Sequence, residues 1–76
     1  MKKTINRAVQ EAVDEYLRMM DDEQVTDLYE LVLSEMEAPL LRSVLNHTNQ
    51  NQSKAAAALG LNRATLRKKL RKYRLL

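Results

Sequence analysis

The chain has 76 residues and no Cys, Trp or Phe, so one small domain must form without disulfides, thiolate-bound metal or large aromatic rings, and association of copies is the remaining common route to a stable fold. A single Gly and a single Pro argue against a turn-rich β fold, no stretch approaches the ~20 apolar residues that span a bilayer, and the MKKTINRAVQE start lacks the apolar run of a signal peptide. The net charge of +3 is sharply sorted: residues 1–50 carry −5 and residues 51–76 carry +8 with no acid among them, a polarity that points to a polyanionic partner.

The first element is a helix. Ile5, Ala8, Val9, Ala12, Val13, Tyr16, Leu17 and Met20 recur at 3–4 spacing, separated by polar and charged residues. The pattern predicts an amphipathic helix over 5–20 with Thr4 as its N-cap. Asp21, Asp22, Glu23 and Gln24 break the period and read as a solvated loop. A second helix is expected from Thr26 or Asp27, where Asp27 and Glu30 have capping-box spacing. Its apolar positions, from Leu28 through Leu31, Val32, Leu33, Met36, Leu40, Leu41, Val44 and Leu45, cover more than one face. Burial on two sides follows, against the first helix and against a second copy. Pro39 removes one backbone N–H at a cost of about 3 kcal/mol, yet the apolar period resumes directly after it. One kinked helix to about residue 47 is therefore expected rather than two.

HTNQNQ, residues 47–52, is a polar connector. A short Ala-rich helix follows over 52–59 and Gly60 ends it. Asn62 is a good N-cap for a last helix from Arg63 to about Tyr73, with Leu66, Leu70 and Tyr73 turned inward. The fold class expected is thus all-α, a four-helix protomer within one domain, 1–76. Residues 5–47 would supply dimerisation helices and residues 51–76 a helix-turn-helix.

Function concentrates in NQSKAAAALGLNRATLRKKLRKY, residues 51–73. Two short helices joined by a tight turn need small residues where they touch, here Ala55, Ala56 and Ala57. They also need a strain-free residue in the turn, Gly60, and apolar anchors, Leu59, Leu61, Leu66 and Leu70. The second helix of such a unit enters the major groove with its first residues against base edges, here Asn62, Arg63 and Thr65. Arg67, Lys68, Lys69, Arg71, Lys72 and Arg74 are too evenly spread to read bases, and phosphates are their expected partners. Gln52, Ser53 and Lys54 open the preceding helix, where the dipole favours another phosphate.

The competing reading of residues 63–76 is a basic amphipathic helix for a membrane or a protein partner. Its narrow apolar stripe without Trp or Phe argues against membrane. Nothing supports catalysis or a cofactor. His47 is alone, Ser34, Ser43 and Ser53 have no paired base, and one Gly cannot build a phosphate loop. Met19, Met20 and Met36 are expected in the core.

At DLYELVLSEMEAPLL (27–41) and GLNRATLRKKLRKY (60–73) the sequence resembles the Fis family of bacterial nucleoid-associated proteins, and the likeness extends over the first helix. The second segment recurs in the C-terminal domains of enhancer-binding activators, but the first matches Fis proper better. The resemblance implies an intertwined homodimer whose core is the first two helices of each copy. It implies a cytoplasmic, nucleoid-associated regulator of transcription that binds double-stranded DNA. Recognition helices closer together than one turn of B-DNA, ~34 Å, would force that DNA to bend.

Carried over by motif, Asn62 and Arg63 contact bases, while Asn51, Gln52, Ser53, Lys54, Thr65, Arg67, Lys68, Lys69, Arg71 and Lys72 contact the DNA backbone. The family also implies RNA polymerase as a partner, through a turn where this chain has Asn49 and Gln50 instead of a basic residue and Gly. The family's N-terminal arm, which contacts DNA invertases, has no counterpart in a sequence that starts about four residues before its first helix, so that contact is not expected. Arg74 stands where Gly commonly ends the last helix, and a longer helix is expected for that reason. The reading from another class is a helical protein-interaction module whose basic end is incidental.

Overall fold

The computed structural model describes residues 4–20 and 25–76. The loop expected at Asp21–Gln24 lies outside the described residues. Four helices are present and, among the described residues, no strand: α1 (Ile5–Met20), α2 (Leu28–His47), α3 (Gln52–Leu59) and α4 (Arg63–Lys72). The chain divides into two compact units, one ending at Val32 and one spanning Leu33–Leu76, so the boundary falls inside α2 rather than between helices. Among the described residues no helix is long and apolar enough to cross a membrane.

In the first unit, α1 starts where the sequence places it. The Thr4 hydroxyl accepts the Arg7 N–H at 3.1 Å, which satisfies one of the donors a helix start leaves open, and the Thr4 carbonyl accepts the Ala8 N–H at 3.0 Å as the first helical bond. Arg7 and Glu11 pair at 3.2 Å across one turn of an exposed face, worth a few tenths of a kcal/mol. The apolar stripe is present, yet α1 has no buried residue and Ile5 is 84% exposed. The core assignment of the methionines is corrected here: Met19 and, on α2, Met36 are exposed. Asp27 precedes α2 with φ 56°, the left-handed region, whereas a capping-box residue sits in extended conformation. The helix begins at Leu28, one or two residues after the expected start at Thr26 or Asp27.

The second unit is built on six buried side chains: Leu41 and Leu45 of α2, Ala55 and Ala56 of α3, and Leu66 and Leu70 of α4. Each helix gives a pair one residue or one turn apart, so three short surfaces meet. Val44, Leu59, Tyr73 and Leu75 ring this cluster. Fully burying one Leu contributes about 1.5–3 kcal/mol, and the two alanines let α3 approach closely. Ala57, expected at the helix contact, is exposed instead. The helix α2 runs through Pro39 unbroken, as expected. Pro39 cannot serve the Glu35 carbonyl, but both residues are exposed and water can.

All three helices of this unit end in the same way. Gln50, Leu61 and Leu75 each donate a backbone N–H five residues back, to Leu45, Ala56 and Leu70 at 2.8, 2.9 and 2.8 Å. The residue before each donor bonds three back and takes a left-handed conformation: Asn49 at φ 54°, Gly60 at φ 74° and Arg74 at φ 57°. This is the Schellman closure, which satisfies carbonyls the helix end leaves open. The expected run-on of α4 past Arg74 is therefore corrected. The helix stops at Lys72, and Arg74 accepts the strain because Leu75 then folds back onto the core. Arg74→Gly is expected to stabilise the unit by about 0.5–1 kcal/mol, since Gly carries no Cβ to strain at positive φ. An unchanged or lower midpoint in thermal denaturation would contradict it.

Candidate nucleic-acid interface

Helix α3 opens on Asn51, whose φ of −82° and ψ of 106° are those of a cap and whose Oδ1 accepts the Lys54 N–H at 2.9 Å. Asn51 was expected only as a DNA contact. An Asn immediately before a helix was the available signal for the cap, and that reading missed it. Thr48 braces the turn, its hydroxyl placed to donate to the carbonyl of Leu45 at 3.3 Å or of Asn51 at 3.2 Å. Helix α4 opens on Asn62, whose Oδ1 accepts the Ala64 N–H at 2.7 Å. Capping occupies the amide oxygen and leaves the amide nitrogen as the donor Asn62 can offer a ligand.

The faces of α4 follow from its periodicity. Leu66 and Leu70, one turn apart, fix the inward face. Thr65, Lys68, Arg71 and Lys72 then fall on the opposite face, with Ala64 among them, and all are exposed. Asn62 and Arg63 are exposed at the N-terminal end, as are Asn51, Ser53 and Lys54 on α3. The structure thus gathers nine polar or basic residues of two helix starts and one helix face onto the surface of one unit. Lys72 lies over the Tyr73 ring, its ammonium 5.4 Å from the ring centre, within cation–π range.

Two expected phosphate contacts are engaged within the protein. Arg67 and Lys69 flank the buried stripe on either side. The Arg67 guanidinium donates to Gln52 Oε1 at 2.7 Å and ties α4 to α3. The Lys69 ammonium donates to Glu37 Oε2 at 2.8 Å and ties α4 to α2. Glu37 takes a second bond on Oε1 from the Tyr73 hydroxyl. Glu37 is the partner of these two residues that the sequence did not reveal. It lies 32 positions from Lys69 and 36 from Tyr73, beyond any local spacing rule.

These contacts hold the Glu37 carboxyl below its ordinary value of 4.5, chiefly through the Lys69 and Tyr73 hydrogen bonds, with partial burial acting the other way. A carboxylate with a depressed folded-state value adds stability that is fully present above 4.5 and is lost as pH falls through the lower folded-state value. The stability advantage of the wild type over Glu37→Gln is therefore expected to shrink in acid. Thermal melts of both proteins at about pH 7 and about pH 3 check this. A gap that stays constant would show that Glu37 is not ionised in this pairing.

The α3–turn–α4 unit, closed by Gly60 and packed on two alanines and two leucines, is a helix-turn-helix with a basic outer helix. The model of the family described as "Bacterial regulatory protein, Fis family" matches residues 32–73. "DNA-binding protein Fis" of Glaesserella parasuis serovar 5 is 54% identical over 71 residues, covering 93% of this chain and 72% of that protein. A "Putative Fis-like DNA-binding protein" of Xylella fastidiosa is 56% identical over 72 residues, covering 95% and 80%. Another of that description, from Pseudomonas aeruginosa, is 50% identical over 74 residues, covering 97% and 71%. The chain belongs to the Fis family of bacterial regulatory proteins.

Proposed function

We propose that this chain is a nucleoid-associated regulator of transcription that binds and bends double-stranded DNA as a homodimer. One observation carries the DNA reading: the face of α4 opposite its buried leucines bears Thr65, Lys68, Arg71 and Lys72, all exposed, and residues 51–76 contain no acid to oppose a phosphate. Names of similar proteins, "DNA-binding protein Fis" among them, agree with it. In this reading α4 lies in the major groove with Asn62 and Arg63 at base edges. Thr65, Lys68, Arg71, Lys72 and the α3 start, Asn51, Gln52, Ser53 and Lys54, hold the backbone. Arg67 stands beside them, oriented by Gln52.

The homodimer rests on a separate feature. The apolar stripe of α1 has no buried residue, and a stripe of that kind is stable in water when a second copy covers it. Two copies present two cationic helices, and where these lie closer together than one turn of B-DNA, ~34 Å, a duplex must bend to meet both.

Gel shifts with the binding site permuted along an A·T-rich duplex, together with the mass in solution by light scattering, test the reading. A dimer mass and a mobility that depends on site position are expected. A monomer mass refutes the dimer. A shifted band whose mobility is independent of position refutes bending, and no shift refutes DNA binding.

A further inference from the structure

The outward cations of α4 are free to meet a phosphate, but Lys69 is not placed as they are. Its ammonium sits 2.8 Å from a Glu37 carboxylate whose side chain is only 18% exposed. The other oxygen of that carboxylate holds the Tyr73 hydroxyl, and the Tyr73 ring lies beneath Lys72. One side chain of α2 thus holds Lys69 in the last turn of α4 and its cap Tyr73, whose ring in turn lies beneath Lys72. We propose that Glu37 is a positioning residue for DNA recognition: it anchors the C-terminal half of α4 through Lys69 and Tyr73, so that Lys69 acts as an internal strut and not as a phosphate contact.

The proposal rests on the DNA reading above and refines it. Drawing Lys69 away to a phosphate would leave a partly buried carboxylate without its counter-charge, and would do so beside a polyanion. Keeping the pair closed avoids that penalty and leaves Lys68, Arg71 and Lys72 to neutralise the backbone. The angle at which α4 enters a groove decides whether its first residues reach base edges, so an anchor on its far end acts on recognition without touching DNA.

The counterion slope separates a strut from a contact. Each phosphate neutralised steepens the fall of log K with log salt by about 0.9, whereas a positioning residue changes K and leaves the slope alone. Fluorescence anisotropy with a labelled A·T-rich duplex would be read at several salt concentrations for wild type, Lys68→Gln, Lys69→Gln, Lys69→Glu and the double variant Glu37→Lys with Lys69→Glu. Lys68→Gln is expected to flatten the slope. Lys69→Gln is expected to weaken binding severalfold with the slope of the wild type. The charge-swapped pair is expected to bind more tightly than Lys69→Glu alone, because the strut is rebuilt. A slope flattened by Lys69→Gln as much as by Lys68→Gln overturns the proposal, as does a swap no better than Lys69→Glu. A wild type that binds no duplex removes the DNA reading itself and this refinement with it, an outcome distinct from either.

Discussion

Leu66→Ala is expected to unfold the helix-turn-helix under conditions where the wild type is folded. Leu66 is fully buried, and it belongs to a core of only six buried residues. Truncating such a Leu costs about 2–5 kcal/mol, through lost transfer energy and the cavity left behind. A chain of this size has a total stability of roughly 4–11 kcal/mol, so the loss is a large share of what is available. Neither compensation open to a larger protein is at hand. The neighbours are two alanines too small to fill the void and three leucines already committed to the same contact. Helicity by circular dichroism should fall at a lower temperature, and amide protection over residues 63–72 should be lost first. Leu66→Met, which conserves volume, should cost less than about 1.5 kcal/mol. Equal midpoints for Leu66→Ala and wild type would mean that this cluster is not what holds the unit together.

The parts of this fold that were legible in advance are those governed by near neighbours. Thr4 and Asn62 announce helix starts because a short polar side chain reaches only two or three residues ahead, and both make the bonds expected of them. Leu66 and Leu70 announce the inward face of α4 because helical periodicity is fixed. Periodicity is silent on what the residues flanking that face will find. Arg67 and Lys69 looked alike in sequence, as two cations in a basic helix, and their partners are Gln52 on one neighbouring helix and Glu37 on another. Nothing local distinguishes a cation with such a partner from Lys68, which has an exposed position.

Arg74 shows a second limit. A Gly at that position would have announced a left-handed turn. An Arg there did not, yet the chain turns all the same, because folding Leu75 back onto the core outweighs a strain of about 1–2 kcal/mol. Asn49 was the intermediate case, a residue type that tolerates the left-handed region and does adopt it. For the surface, then, the sequence indicated which helix is cationic, and the packing of α2 and α3 against α4 decides which of its cations remain available.

Arg63→Ala should separate recognition from folding, which Leu66→Ala cannot do. Arg63 is exposed at the first position of α4, outside the buried cluster, and the Asn62 cap that starts the helix does not involve its side chain. Ala is the better helix former, and removing a positive charge from a helix N-terminus is itself slightly favourable. The melting midpoint of the variant is therefore expected to equal or slightly exceed that of the wild type. Binding should behave differently. A bidentate Arg–guanine pair is worth about 1–3 kcal/mol of discrimination, roughly 5- to 150-fold in affinity for each recognition helix. Affinity for a duplex with a guanine in the contacted position should fall by that factor, and affinity for mixed-sequence DNA by much less, because the lysines of the outward face still meet phosphates. The decisive quantity is the ratio of the two affinities. If Arg63→Ala lowers both equally, Arg63 is one more backbone cation and sequence preference must come from the shape of the DNA. If it lowers neither, the N-terminal end of α4 is not where this protein meets DNA, and the placement of the whole helix in the groove has to be reversed.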